Sequence, residues 1–212
     1  MTELKEIKKR IARLNFKEKT YENIELTYEQ QTYERGKPIK YLEMTIELFD
    51  AIGGRSIVEI GCMRTLLTHP ISEMHPECCN DGHSTYFWCT TGANVISVDI
   101  DRKAVSQARK SCKGFKNCKI LRKDAIKFLE KFKGKIDLLF LDAWDVIPNT
   151  PYAENHLLAY LKVKDKLSRT NIISIDDTDV GGGGKGRLLI PVLKADGYQI
   201  LVQGRQTITL KE

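Results

Sequence analysis

What this 212-residue chain lacks narrows its reading first. No apolar run approaches the roughly 18 residues that span a bilayer. The opening Met1-Thr2-Glu3-Leu4-Lys5-Glu6 has none of the apolar stretch of a secretory leader, so the expected location is cytoplasmic, with no membrane partner. Cys62, Cys78, Cys79, Cys89, Cys112 and Cys118 follow no disulfide-framework spacing, which in a chain of this size fits reduced thiols. There is no internal repeat, and the only low-complexity stretch is Gly181-Gly182-Gly183-Gly184. The first strand-to-helix turn reads Gly61-Cys62-Met63-Arg64 instead of Gly-x-Gly-x-x-Gly, which argues against a nicotinamide-dinucleotide site. The glycine run is followed by Lys185-Gly186-Arg187 without the register of a phosphate-binding loop, so mobility is its expected role, with Lys185 and Arg187 available to an anionic substrate group.

What is present suits a globular domain with a substantial core, since 42% of residues are hydrophobic and 29% charged. The net charge of +6 leaves a nucleic-acid partner open but not favoured: 28 acids are interspersed with 34 bases, and positive charge is concentrated at the N-terminus. Residues 1–50 read as a helical extension. Leu4, Ile7, Ile11 and Leu14 form a narrow apolar stripe on a helix otherwise covered by lysine and arginine, suited to packing on the main domain, with dimer contact as an alternative. Tyr21 to Tyr41 reads as a connector, and a second helix over Ile39 to Ile52 ends at Gly53-Gly54.

Residues 51–212 alternate strand and helix signals. Strands are expected at Ser56 to Gly61, Asn94 to Asp99, Cys118 to Leu121, Ile136 to Leu141 and Ile172 to Ile175. Helices are expected across Arg102 to Cys112, Ala125 to Phe132 and Tyr152 to Leu167, the last with Leu157, Leu158, Tyr160, Leu161 and Val163 near its inner face. Repeated βα units require a parallel sheet with right-handed crossovers. After a short helix from Arg187 to Ala195 come Tyr198 to Val202 and Gln206 to Leu210, linked by Gln203-Gly204-Arg205, a connection too short for anything but an antiparallel hairpin. The predicted class is therefore α/β: a doubly wound, Rossmann-like, mostly parallel sheet of seven strands ending in a β-hairpin.

Two of these strands carry chemistry. Ile136-Asp137-Leu138-Leu139-Phe140-Leu141-Asp142 and Asn171-Ile172-Ile173-Ser174-Ile175-Asp176-Asp177 each end an apolar run at a carboxylate, which aims acids at the carboxyl edge where open α/β sheets bind ligands. Asp142, Asp176 and Asp177 converging on one crevice repel one another unless protonated or neutralised by a cation, which points to a metal site beside a cofactor.

From about residue 39 to 210 the order of elements resembles the class I S-adenosylmethionine-dependent methyltransferases, whose sheet ends in such a hairpin. Val58-Glu59-Ile60-Gly61 is similar to the family's first motif, and the resemblance implies that Glu59 and Gly61 serve the cofactor's amino-acid moiety. It further implies that Asp99 accepts hydrogen bonds from the ribose hydroxyls, and that Asp124 and Ala125 lie at the adenine, a role for which helix N-cap is an even alternative at Asp124. Ser84, in Gly82-His83-Ser84-Thr85, resembles the Gly-x-Ser that opens the first core helix, with amides suited to a carboxylate.

Leu141-Asp142-Ala143 and Ile175-Asp176-Asp177-Thr178 match the metal-dependent O-methyltransferases of the catechol and caffeoyl-CoA type. The implied mechanism has Asp142, Asp176 and Asp177 hold Mg²⁺ or a similar cation that acidifies and orients a small-molecule hydroxyl. Two departures stand out. The catechol-type lysine base is replaced by Asp145, which leaves Asp145, His156 or the metal alone to acidify the hydroxyl. An inserted loop at 65–81 carries His69, His75, Cys78 and Cys79, whose spacing fits a lid over the cofactor better than a zinc site. The alternatives are an RNA or protein methyltransferase on the same fold, docked by its basic N-terminal helix, and a non-catalytic cofactor-binding module.

Overall fold

A computed structural model describes residues 2–13, 38–67, 83–180 and 182–212. Most of the 65–81 insertion, with its histidines and cysteines, lies outside the described residues, as do Leu14 and the expected Tyr21 to Tyr41 connector up to residue 37, its last residues belonging to the second helix. The helices α1 (Thr2–Arg13) and α2 (Pro38–Ala51) precede β1 (Ser56–Ile60) and α3 (Ser84–Thr90). The βα units continue with β2 (Asn94–Asp99), α4 (Arg102–Ser111), β3 (Cys118–Arg122), α5 (Ala125–Lys131), β4 (Ile136–Leu141), α6 (Tyr152–Val163) and β5 (Leu167–Ile175). Then α7 (Leu189–Ala195) leads to the hairpin β6 (Gln199–Gln203) and β7 (Thr207–Lys211). The sheet order is β3-β2-β1-β4-β5-β7-β6, with β7 antiparallel to both neighbours and all other pairs parallel. No helix among the described residues is long and apolar enough to cross a membrane.

Strand alternation divides the core between the two sheet faces. Ile57, Leu138, Phe140 and Ile172 pack with Ile11 of α1, Leu42 and Leu48 of α2 and Trp88 of α3. Val58, Leu139, Leu141 and Ile173 pack with Leu129 of α5, Tyr160 of α6 and Leu193 of α7. Helices cover both faces, so the end of β4 is apolar on both sides and reads as a continuous run, while β1 includes the buried Glu59. Asp101 and Asp124 cap α4 and α5 by accepting from the amides of Ala104 (2.6 Å) and Lys127 (2.8 Å).

Three expectations change. β5 begins at Leu167, because its polar first half, Ser168 to Thr170, continues the strand past an irregularity in the β4 pairing. α6 stops at Val163, and its buried face is Tyr152, Ala153, His156, Ala159, Tyr160 and Val163, which leaves Leu158 and Leu161 exposed. The described part of the glycine run is a packed turn: Gly184 and Gly186 are buried, and a Cβ on Gly184 would lie 1.7 Å from the Asp177 carbonyl oxygen.

Candidate functional site

Register places the site. Ile60 of β1 pairs with Val98 of β2 and Leu141 of β4, and Leu141 pairs with Ile175 of β5. The next residues, Asp99, Gly61, Asp142 and Asp176, therefore form a row along the carboxyl edge of four adjacent strands. At about 4.8 Å per strand the row is roughly 14 Å long. The ladder continues into it, with Gly61 N donating to Val98 O (2.9 Å), Asp142 N to Ile60 O (2.8 Å) and Asp176 N to Leu141 O (3.1 Å).

A pocket opens along this row. Its walls run from Asp99, Ile100, Asp101, Asp124 and Ala125 past Gly61 and Cys62 to Asp142, Ala143, Trp144 and Asp145, with Arg64 beside Asp145. Gly61 is required there: its φ is +89°, and a Cβ would sit 2.6 Å from the carbonyl of Asp142. Asp99 is held by the amides of Cys62 (3.0 Å to Oδ2) and Asp101 (2.8 Å to Oδ1). Asp124 is both N-cap and pocket wall, so its two expected roles coexist. Asp145 stands at the rim, half exposed, accepting from the Arg64 guanidinium at 3.0 and 3.3 Å.

Five sequence candidates, Glu59, Ser84, His156, Asp176 and Asp177, are not on this lining. Glu59 is fully buried behind it, accepting from Ser84 Oγ (2.6 Å), Thr85 Oγ1 (2.6 Å), Trp88 Nε1 (3.0 Å) and Ser97 Oγ. Burial raises its pKa to about 7 against these hydroxyl donors. Glu59 and Ser84 thus tie α3 to β1 and β2 and support the wall from behind. His156 is also buried, with Nδ1 2.6 Å from the Tyr152 carbonyl and its ring edge-on to Trp144. Burial, followed by the charge of Lys185, holds its imidazole at about 3, so it is neutral and out of reach of a ligand in the pocket.

The acids behind Asp142 were expected together and are together: carboxylate oxygens of Asp142, Asp176 and Asp177 lie within 4.8 Å of one another. Burial, then Asp177 and Asp142, raises the pKa of Asp176 to about 8. Asp177 has φ +48°, a strained conformation for a non-glycine residue at a strand exit.

Lys185 joins this cluster, in a role the sequence reading did not anticipate. Its side chain is 1% exposed, and Nζ meets Asp142 Oδ1 at 2.6 Å, Asp177 Oδ2 at 3.1 Å and the Asp142 carbonyl at 3.3 Å. Burial disfavours the ammonium, yet the three aspartates outweigh it and raise its pKa above the ordinary lysine value. Neither Lys185 nor Arg187 faces the pocket as an anion receptor. Arg187 lies over the Tyr152 ring and near Glu154. The donor set has the hard oxygens of a Mg²⁺ site, and Asp176 Oδ1 is buried without a hydrogen-bond partner, but the ammonium already holds Asp142 Oδ1 and Asp177 Oδ2. As arranged, two of the three acids are committed to Lys185.

No protein-family model and no curated protein matches the chain. Solved structures do. An S-adenosylhomocysteine-bound methyltransferase from Podospora anserina aligns with TM-score 0.58 at 15% identity, over 97% of this chain and 86% of that one. Magnesium protoporphyrin IX methyltransferase from Synechocystis, with S-adenosylmethionine bound, aligns with TM-score 0.53 at 16% identity, over 87% and 90%. With its sheet order, its terminal hairpin and these structural neighbours, the chain has the class I S-adenosylmethionine-dependent methyltransferase fold.

Proposed function

We propose that this protein transfers a methyl group from S-adenosylmethionine to a hydroxyl of a small molecule. The observation that carries the reading is the continuity of the pocket, from Asp99, Asp124 and Ala125 at one end to Asp142, Trp144 and Asp145 at the other. The Gly61 turn, which tolerates no Cβ, fits close approach of a ligand to backbone, and Asp99 lies where a ribose diol would meet a carboxylate. When bound, S-adenosylmethionine supplies an activated methyl group on a sulfonium. Asp142 is the acid at the far end of the lining, so it orients the acceptor hydroxyl and takes its proton as the oxygen–methyl bond forms. Trp144 shields that end from water, and most of the rate comes from positioning.

Calorimetry with S-adenosylmethionine and labelled methyl transfer to phenols, sugars and RNA test this reading. Asp99→Ala should weaken cofactor binding about 10- to 100-fold, the size of a lost charged hydrogen bond. Asp142→Asn should reduce turnover at least 100-fold while binding the cofactor as the wild type does. Failure of the wild type to bind S-adenosylmethionine, or equal loss of binding and turnover in Asp142→Asn, would sink it.

A second reading, an RNA methyltransferase, is favoured by one feature. Between Arg102 and Lys135 stand thirteen lysines and arginines against two acids, and all thirteen are exposed. Four of them, Lys123, Lys127, Lys131 and Lys133, line a groove containing Phe128 and Phe132 that shares Asp124 with the pocket described above. The N-terminal helix fits the docking role less well, since Lys8 and Arg10 are paired with Glu212 and Glu47.

A further inference from the structure

We propose that Lys185 is the resident cation of the acidic site, standing where metal-dependent relatives of this fold would hold a divalent ion, and that it acts as a positioning residue for Asp142. An ammonium has three donors. Those of Lys185 have three acceptors within reach, the Asp142 carboxylate, the Asp142 carbonyl and the Asp177 carboxylate, so none is left for a ligand. The side chain is as buried as the hydrophobic core, a place where lysine is found only when paired.

The backbone delivers it there by a dedicated turn. Gly182, Gly183 and Gly184 all have positive φ, and the Lys185 amide donates to the Asp177 carbonyl at 3.1 Å. A Cβ on Gly184 would overlap that same carbonyl, and one on Gly186 would meet Thr178 at 2.9 Å. The turn is therefore wrapped onto the residues that carry two of the acids. A divalent ion at the triad would have to share Asp142 and Asp177 with Lys185, whose ammonium already holds Asp142 Oδ1 and Asp177 Oδ2 and supplies a positive charge to the cluster. Ion and ammonium compete for the same two acids. Lys185 is thus the lysine of this site, reaching it from a later loop while Asp145 holds the position expected of a lysine.

The role given to Asp142 rests on the methyltransferase reading; occupancy of the site by Lys185 does not. The test titrates Mn²⁺ into the full-length wild type and Lys185→Met by calorimetry and electron paramagnetic resonance, with S-adenosylmethionine affinity measured on the same preparations. The wild type should bind no Mn²⁺ at the triad below millimolar concentration, and its turnover should be unchanged by chelator. Lys185→Met keeps the aliphatic stem without the charge. It should bind one Mn²⁺, lost again when Asp142→Asn is added, and should lose turnover about 100-fold with cofactor affinity intact and partial rescue by Mn²⁺. Mn²⁺ bound to the wild type through Asp142, or turnover abolished by chelator, overturns the proposal. So does a folded Lys185→Met that binds no Mn²⁺. If that variant does not fold, the two wild-type measurements decide. If the wild type fails to bind S-adenosylmethionine, the methyltransferase reading falls while the Mn²⁺ titrations still judge Lys185.

Discussion

His156 carries its imidazole into the interior with no hydrogen-bond partner for Nε2 among the described residues. Its pKa of about 3, against an ordinary 6.5, means that folding favours the neutral ring. The stability this contributes is fully present above pH 6.5 and is lost as pH falls from 6.5 toward 3. At pH 5 the loss amounts to about 2 kcal/mol. His156→Gln should lack this component, so urea-derived stabilities at pH 8 and pH 5 should differ by about 2 kcal/mol less than in the wild type. An identical pH response in both proteins would contradict a buried neutral imidazole. Gly61 is constrained by sterics instead of charge. With φ +89° and the Asp142 carbonyl 2.6 Å from any added Cβ, Gly61→Ala must push the ends of β1 and β4 apart. We expect a cost of more than about 2 kcal/mol, a melting temperature lowered by at least roughly 4 °C, and loss of cofactor binding.

Among the elements, the glycine turn separates local strain from packing. Gly182 has φ +69° with nothing within 4 Å of an added Cβ, whereas Gly184 has φ +49° and a backbone oxygen at 1.7 Å. Gly182→Ala should therefore cost only the left-handed penalty of about 1–2 kcal/mol. Gly184→Ala should cost more and displace Lys185, which thermal denaturation of the two variants would compare; equal effects would mean that the turn is not held against Asp177. This turn also marks where sequence reasoning stops. The strands were legible because β1, β4 and β5 bury both faces, and a continuous apolar run ending in an acid survives any detail of packing. The row of Asp99, Gly61, Asp142 and Asp176 followed from strand ends alone. Lys185 did not, since a lysine framed by glycines looks mobile until the tertiary fold brings it onto Asp142 and Asp177. The burial of Glu59 was not legible either, because its motif position gives no sign of the four donors that hold it. The inner face of α6 was misplaced because leucines were weighted over Ala153, His156 and Ala159, the small and polar residues that face the sheet.

Across the whole molecule, charge is divided unevenly in a way that the net value conceals. The segment from Arg102 to Lys135, spanning α4, the edge strand β3 and α5, carries +11, so the rest of the chain carries −5 to make the total of +6. The pattern was present in the sequence, but acids and bases look interspersed when counted over the full length. The sheet order places β3 at an edge of the sheet, and α4 and α5 carry their cations on its two opposite faces. A polyanion is the partner such an edge attracts, and the Phe128 and Phe132 rings, 5.7 Å apart between Lys127, Lys131 and Lys133, add surfaces on which bases can stack. If RNA is the acceptor, a single-stranded oligonucleotide should bind with an affinity that falls steeply between 50 and 200 mM salt, the logarithmic slope being about −0.7 for each phosphate contacted. Replacing Lys127, Lys131 and Lys133 together by glutamate should flatten that slope by roughly 2 while leaving S-adenosylmethionine affinity unchanged. Fluorescence anisotropy over a salt series measures both. Binding that is absent at 50 mM salt, or a slope that the triple variant does not alter, would remove RNA from consideration as the acceptor.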